Sequence, residues 1–135
     1  MRLFLLLATL LLSQIIFAEE TITVRMNNNS QFDFNFAVEF PTQLIPHLQK
    51  LKMHEGYIYT YNLEDSGLDL KRPFDIKIKL QVWEERRHQF CTLPKTINAV
   101  GILNPIIEIN VKNFDIPSQT SGGCNLDVTV REDYR

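Results

Sequence analysis

Several separate blocks of alternating apolar and polar residues, polar turns between them, and a cysteine pair in a short chain predict an all-β fold. The expected architecture is an antiparallel β-sandwich of about six to eight strands with one short helix in a connecting loop. A closed barrel satisfies the same alternation, because periodicity defines faces and not closure.

The chain opens with Arg2 and an apolar run from Leu3 to Phe17 that ends at Ala18, just before Glu19 and Glu20. One positive charge, an apolar stretch and a small residue at the cut are the parts of a secretory signal peptide. A membrane-spanning helix needs about 20 apolar residues, and Ser13 and Gln14 interrupt a shorter run. Residues 1–18 are therefore expected to be a signal peptide and residues 19–135 a single β-sandwich domain. Removing 18 of the 135 residues leaves 117, enough for one hydrophobic core.

The strands are expected in the following order. Ile22, Val24 and Met26 share one side of a first strand, and Asn27 to Ser30 make a polar turn. From Phe32 to Phe40, Phe32, Phe34, Phe36, Val38 and Phe40 face a core, and Asp33, Asn35, Ala37 and Glu39 face away. Between Thr42 and His54, Ile45, Leu48 and Leu51 recur at threes with Pro46 in the first turn, which predicts the short helix. Tyr57, Tyr59, Tyr61 and Leu63 form a strand, and Glu64 to Gly67 a turn. From Phe74 to Trp83 the inner set is Phe74, Ile76, Ile78, Leu80 and Val82. Thr92 to Pro105 reads as a loop, Ile107 to Val111 as a strand, Asn113 to Gly123 as a loop, and Cys124 to Val130 as the last strand.

Cys91 and Cys124 permit one intramolecular connectivity, and an oxidising compartment favours it. Closing that loop stabilises the fold by roughly 3 to 4 kcal/mol on the loop-entropy model. Free thiols, a reactive cysteine or an intermolecular bridge are the rival readings.

Charge and motifs narrow the function classes. Without Arg2, 13 basic residues stand against 16 acidic ones, a net charge of −3 that argues against a nucleic-acid binder. No nucleophile elbow, zinc-protease helix, phosphate loop or zinc-spaced cysteine pair is present, so the chain is expected not to be an enzyme and to need no cofactor. His47, His54 and His88 have no metal-ligand spacing and read as solvated side chains. Asn62, Glu64, Asp65 and Asp69 gather around Gly67 like a fragment of a calcium loop, but without its ligand order, so a turn explains them. Asn28-Asn29-Ser30 matches the N-glycosylation pattern, and an Asn-rich turn produces it as readily. The stripe Tyr57, Tyr59, Tyr61 is either core or a platform for sugars, with core the preferred reading.

The candidate site is the outer face of the strand ending at Trp83. Lys77, Lys79, Gln81 and Trp83 align at period two, and Lys71, Arg72, Arg86, Arg87, His88 and Lys95 flank them. Lysines would draw in an anionic partner and the indole would offer a flat apolar surface. An ordinary solvated face, with lysines protecting an edge strand, is the rival reading, and Asp75, Glu84 and Glu85 dilute the charge.

The two ends of the chain resemble those of chaperone-usher pilus subunits. Gly122 opens a tail in which Leu126, Val128 and Val130 alternate and Tyr134 is penultimate, and Ile22, Val24 and Met26 imitate a donor strand. That resemblance implies assembly by β-strand addition. The late cysteine pair and the five glycines depart from the family's pattern.

The sequence thus predicts an exported, secreted or periplasmic binding module. It would recognise an extracellular or cell-surface partner, whether protein, glycan or anionic lipid surface, through Lys77, Lys79, Gln81, Trp83, Arg86 and Arg87. A monomeric or weakly associating protein is expected, with no transmembrane anchor. A pilus-like structural subunit and a small secreted enzyme without a recognisable motif are the alternatives.

Overall fold

The computed structural model describes residues 19–42, 48–84, 87–114 and 124–133, and within them every side chain except those of residues 83, 84, 87–90 and 114. The expected signal peptide lies outside the described residues. So do Arg86, His47 and Tyr134.

The chain runs β1 (Thr21–Asn28), β2 (Phe34–Glu39), β3 (Gln49–Leu51), β4 (Gly56–Asn62), α1 (Leu63–Ser66), β5 (Phe74–Glu84), β6 (Arg87–Ile97), β7 (Pro105–Phe114) and β8 (Cys124–Glu132). Two four-stranded sheets form, in the orders β4-β1-β7-β8 and β3-β2-β5-β6. All neighbours are antiparallel except β1 and β7, which run parallel with Val24 opposite Ile107 and Met26 opposite Ile109. Among the described residues no helix is long and apolar enough to cross a membrane.

Alternation places the core where the sequence predicts it. Ile22, Val24 and Met26 of β1 and Ile107, Ile109 and Val111 of β7 are sealed from solvent. They meet Phe34, Phe36 and Val38 of β2 and Ile76, Ile78, Leu80 and Val82 of β5 from the facing sheet. Each such side chain contributes about 1.5 to 3 kcal/mol by leaving water. The tyrosine stripe belongs to this core. Tyr57 packs edge-on against Phe36 with ring centres 6.0 Å apart, Tyr61 against Phe40 at 5.8 Å, and Tyr59 and Tyr61 against each other at 5.3 Å.

Burial, and secondarily the neighbouring tyrosines, pushes the Tyr59 phenol far up, and burial raises Tyr61 in the same direction. Both stay protonated in the folded chain when an unfolded tyrosine would ionise. The stability they contribute is therefore fully present below about pH 10 and is lost as the pH rises from there. The phenolate absorbance of Tyr59 is expected to appear only together with alkaline unfolding. A titration of Tyr59→Phe followed by circular dichroism checks this, since it should move unfolding to higher pH.

Three boundaries shift, with β1 continuing through Asn27 and Asn28, Leu63 opening α1 and β7 continuing through Phe114, and two larger expectations are corrected. The predicted helix between Thr42 and His54 is absent from its described part: residues Gln49–Leu51 are a strand, and among the described residues the one helical turn is α1. Leu51 pairs with Phe34 and is buried, while Leu48 is 82% exposed, so a helical stripe would have put a solvated leucine in the core. Asn62 caps α1 by accepting the Asp65 N–H at 3.2 Å, and Gly67 ends it with φ +68°. The predicted loop from Thr92 to Pro105 begins only after Ile97, because Thr92–Ile97 complete β6. Pro94 is tolerated there because β6 is an edge strand, and Lys95 hides the apolar alternation of Cys91, Leu93 and Ile97.

The two open sides of the sandwich are closed differently. Cys91 of β6 and Cys124 of β8 form the expected disulfide, joining the edge of one sheet to the edge of the other. On the opposite side, β3 turns directly into β4 through Lys52–Glu55, and buried Asn28 holds that corner. Its amide donates to the carbonyls of Phe32 at 2.8 Å and Leu51 at 3.2 Å, and its Oδ1 accepts from the N–H and hydroxyl of Ser30 at 3.0 and 2.6 Å. Its own backbone pairs with Glu55 and His54.

Candidate functional site

The predicted strip occupies the outer face of the sheet β3-β2-β5-β6. Strand register builds it as a series of rows across the strands. Lys50, Asn35 and Gln81 stand side by side, Ala37 lies opposite Lys79, and Glu39 opposite Lys77. Lys77 and Lys79 are exposed and Gln81 is half-buried. Trp83 falls opposite His88, and Glu84 opposite Arg87, where β5 turns into β6. The side chains of Trp83 and Arg87 lie outside the described set, and Arg86 lies outside the described residues altogether.

The geometry trims the positive charge of this face. Lys79 Nζ sits 2.6 Å from Glu39 Oε1. That hydrogen bond, opposed by desolvation and aided by the charges of Lys79 and Lys77, holds the Glu39 carboxyl below its ordinary range. The pair's contribution is present at neutral pH and is lost as acid titrates Glu39. Asp75 accepts a hydrogen bond from the Thr96 hydroxyl at 2.7 Å. Lys95 does not join the strip: it lies opposite the buried Ile76, on the face of β6 that carries Cys91 and Ile97. Lys71 and Arg72 are exposed but lead into Phe74, at the end of β5 remote from Trp83. Lys50 and Lys77 are thus the lysines of this face without an ion pair among the described residues.

An open cleft of about 260 Å³ indents the same face, lined by Asp33, Phe34, Asn35 and Lys50. Asp33 is fixed at its rim by accepting the Met53 N–H at 3.0 Å. It directly precedes β2 at Phe34, which pairs with Val82, the neighbour of Trp83. The cleft therefore adjoins the predicted strip at its Trp83 end. Sequence reasoning missed Lys50 because it assigned that segment to a helix. The alternation of Gln49–Leu51 is the signal that would have found it, and three residues are too few to carry it.

The other outer face satisfies itself. Glu108 Oε2 lies 3.5 Å from Arg131 and 4.0 Å from Arg25, Asn27 donates to Asn110 at 2.8 Å, Lys112 pairs with Asp127, and the hydroxyls of Thr23 and Thr60 meet at 3.0 Å. Each strand contributes a polar group to a neighbour.

The remaining motifs resolve into structure. Around Gly67, Asn62 caps α1, Asp69 accepts the Lys71 N–H at 3.0 Å, and Ser66 bonds back to Leu63. These are turn contacts. The described residues hold no cluster of three histidine, cysteine, aspartate or glutamate side chains arranged for a metal. His54 occupies a left-handed position, φ 64°, in the turn before β4. At the glycosylation pattern, Asn28 is fully buried with its amide engaged by two carbonyls, so the folded chain cannot present it to a transferase. No family model, no curated protein and no solved structure matches this chain.

Proposed function

We propose that this chain is an exported, non-catalytic binding module that recognises a glycan on an extracellular or cell-surface partner through the outer face of β3, β2 and β5. The observation that carries the reading is the cleft beside the strip. It brings one carboxylate, one amide and one ammonium group, from Asp33, Asn35 and Lys50, within reach of Gln81 and of the strand position of Trp83. Converging donors and acceptors next to an aromatic residue suit a sugar ring, whose hydroxyls need both and whose apolar face stacks on an indole. An anionic bilayer fits less well, because Glu39 and Asp75 interrupt the cationic row that such a surface requires. Lys50 and Lys77 favour an acidic sugar. The disulfide and the predicted signal peptide support export.

The test is a fluorescence titration of Trp83, the single tryptophan, with a sulfated glycan, its desulfated form and anionic vesicles. Sulfated glycan is expected to shift the emission, with at least about a tenfold weaker response for Lys50→Ala and a loss of affinity as salt rises. A response to vesicles alone would replace the glycan by a lipid surface. Unresponsive emission with all three would remove this face as the binding site.

A further inference from the structure

The four edge strands of the sandwich are unequally protected against pairing with another strand. β3 has three residues, β6 contains Pro94, and β8 places Asp127, Arg131 and Glu132 along its length. Short length, proline and charge are the ordinary means by which edges avoid association. β4 has none of them. Its sequence Gly-Tyr-Ile-Tyr-Thr-Tyr-Asn is uncharged and rich in residues that favour strands, and Ile58, beside the central Tyr59, is 59% exposed.

The hydrogen-bond phase shows which backbone groups face outward. Glu20 accepts from the Leu63 N–H at 2.8 Å, and Glu55 accepts from the Asn28 N–H at 2.9 Å. In the antiparallel register that pairs Thr21 with Asn62 and Asn27 with Gly56, bonded and non-bonded pairs alternate. Tyr57, Tyr59 and Tyr61 therefore spend their backbone bonds on β1. The N–H and C=O groups of Ile58 and Thr60 point to the open edge, which has no neighbouring strand among the described residues.

We infer that β4 is a self-pairing edge, and that its occupant is the β4 strand of a second copy of this chain, antiparallel about a two-fold axis at Tyr59. In that register Ile58 of each copy lies opposite Thr60 of the other and exchanges two backbone hydrogen bonds with it. Gly56 falls opposite Asn62 at both ends, but the Asn62 carbonyl serves α1 as its N-cap, so the pairing rests on residues 57–61. Tyr57 of one copy falls opposite Tyr61 of the other in a non-bonded pair, the geometry in which facing side chains approach most closely. A two-fold partner is favoured because the strand is uncharged: bringing two copies together sets no like charges opposite each other. The proposed glycan face belongs to the other sheet and stays open, so the dimer would carry two clefts and gain avidity for a repeating ligand. The pairing does not depend on that ligand.

Sedimentation of the mature, oxidised protein from about 1 μM to about 1 mM spans the affinities expected of an edge contact. Hydrogen exchange at both ends of that range locates the contact. Dimerisation is expected, with the Ile58 and Thr60 amides protected only at high concentration. Ile58→Pro removes an outward donor and leaves the β1 ladder intact, and should leave a folded monomer. Ile58→Lys, which keeps the backbone donor and sets two ammonium groups on adjacent diagonals, should raise the dissociation constant at least about tenfold if the proline variant does not fold. A wild-type protein that stays monomeric overturns the proposal. So does a dimer that Ile58→Lys leaves unchanged, or protection of these amides that requires an added extended peptide.

Discussion

Asn28→Ala is expected to lower the melting temperature by about 15 °C, a large effect for one polar side chain. That side chain makes four hydrogen bonds without exposure to solvent. At about 1 kcal/mol each the loss is about 4 kcal/mol, and a domain of this size shifts by roughly 4 °C per kcal/mol. Alanine removes the amide donor that the carbonyls of Phe32 and Leu51 share, although the Ser30 hydroxyl still reaches Phe32 at 3.1 Å. Asn28→Asp separates this account from simple loss of volume. One carboxylate oxygen still accepts from Ser30, but the other replaces the amide nitrogen and faces the carbonyls of Phe32 and Leu51, so burial and repulsion raise its pKa in the folded state. Stability is then retained below the unfolded value of about 4 and lost as the pH rises. Thermal melts of Asn28→Asp should recover toward wild type in acid. An equal deficit at all pH values would show that the amide is not held as described.

Loss of the disulfide is the second large effect. The bridge spans 33 residues, and the loop-entropy relation gives about 3 to 4 kcal/mol for that length. The paired substitution Cys91→Ser with Cys124→Ser should therefore lower the melting temperature by about 15 °C. Its distribution across the fold is the sharper test. Cys91 and Cys124 join β6 to β8 on one side, whereas Asn28 and the Lys52–Glu55 turn close the other. Hydrogen exchange should accelerate first in β6 and β8, with β1 and β4 retaining their protection. Uniform acceleration would mean that the bridge acts only on the unfolded chain.

Legibility in the sequence followed the length and purity of the alternation. β2 and β5 alternate without interruption through Phe34, Phe36, Val38 and through Ile76, Ile78, Leu80, Val82, so their buried faces could be named residue by residue. β3 is too short to show a period, and Leu48 and Leu51 imitate a helical spacing. β6 was obscured by Pro94 and Lys95, two residues that only an edge strand admits on those terms. The parallel pairing of β1 with β7 leaves no local trace, since both strands look the same whichever way they run. The site shows the same division. Period two placed Lys77, Lys79 and Gln81 on one face, but the partner of Lys79 depends on how β2 registers against β5, and that is a long-range property. The cleft depends on β2 lying beside β3 and was invisible for the same reason.

The position of β1 between β4 and β7 bears on how the chain reaches this structure. β4 becomes available to β1 once Asn62 has been made, but the parallel partner begins at Pro105. Until then one edge of β1 stays open, with Ile22, Val24 and Met26 awaiting half of their neighbours. Contacts separated by that much chain are slow to form, because the loop must close before its bonds can reward it. In a chain delivered N-terminus first, the earliest strand is the one that must wait longest. Any factor that shields it until β7 is made would act on the yield of folded protein and not on its final stability.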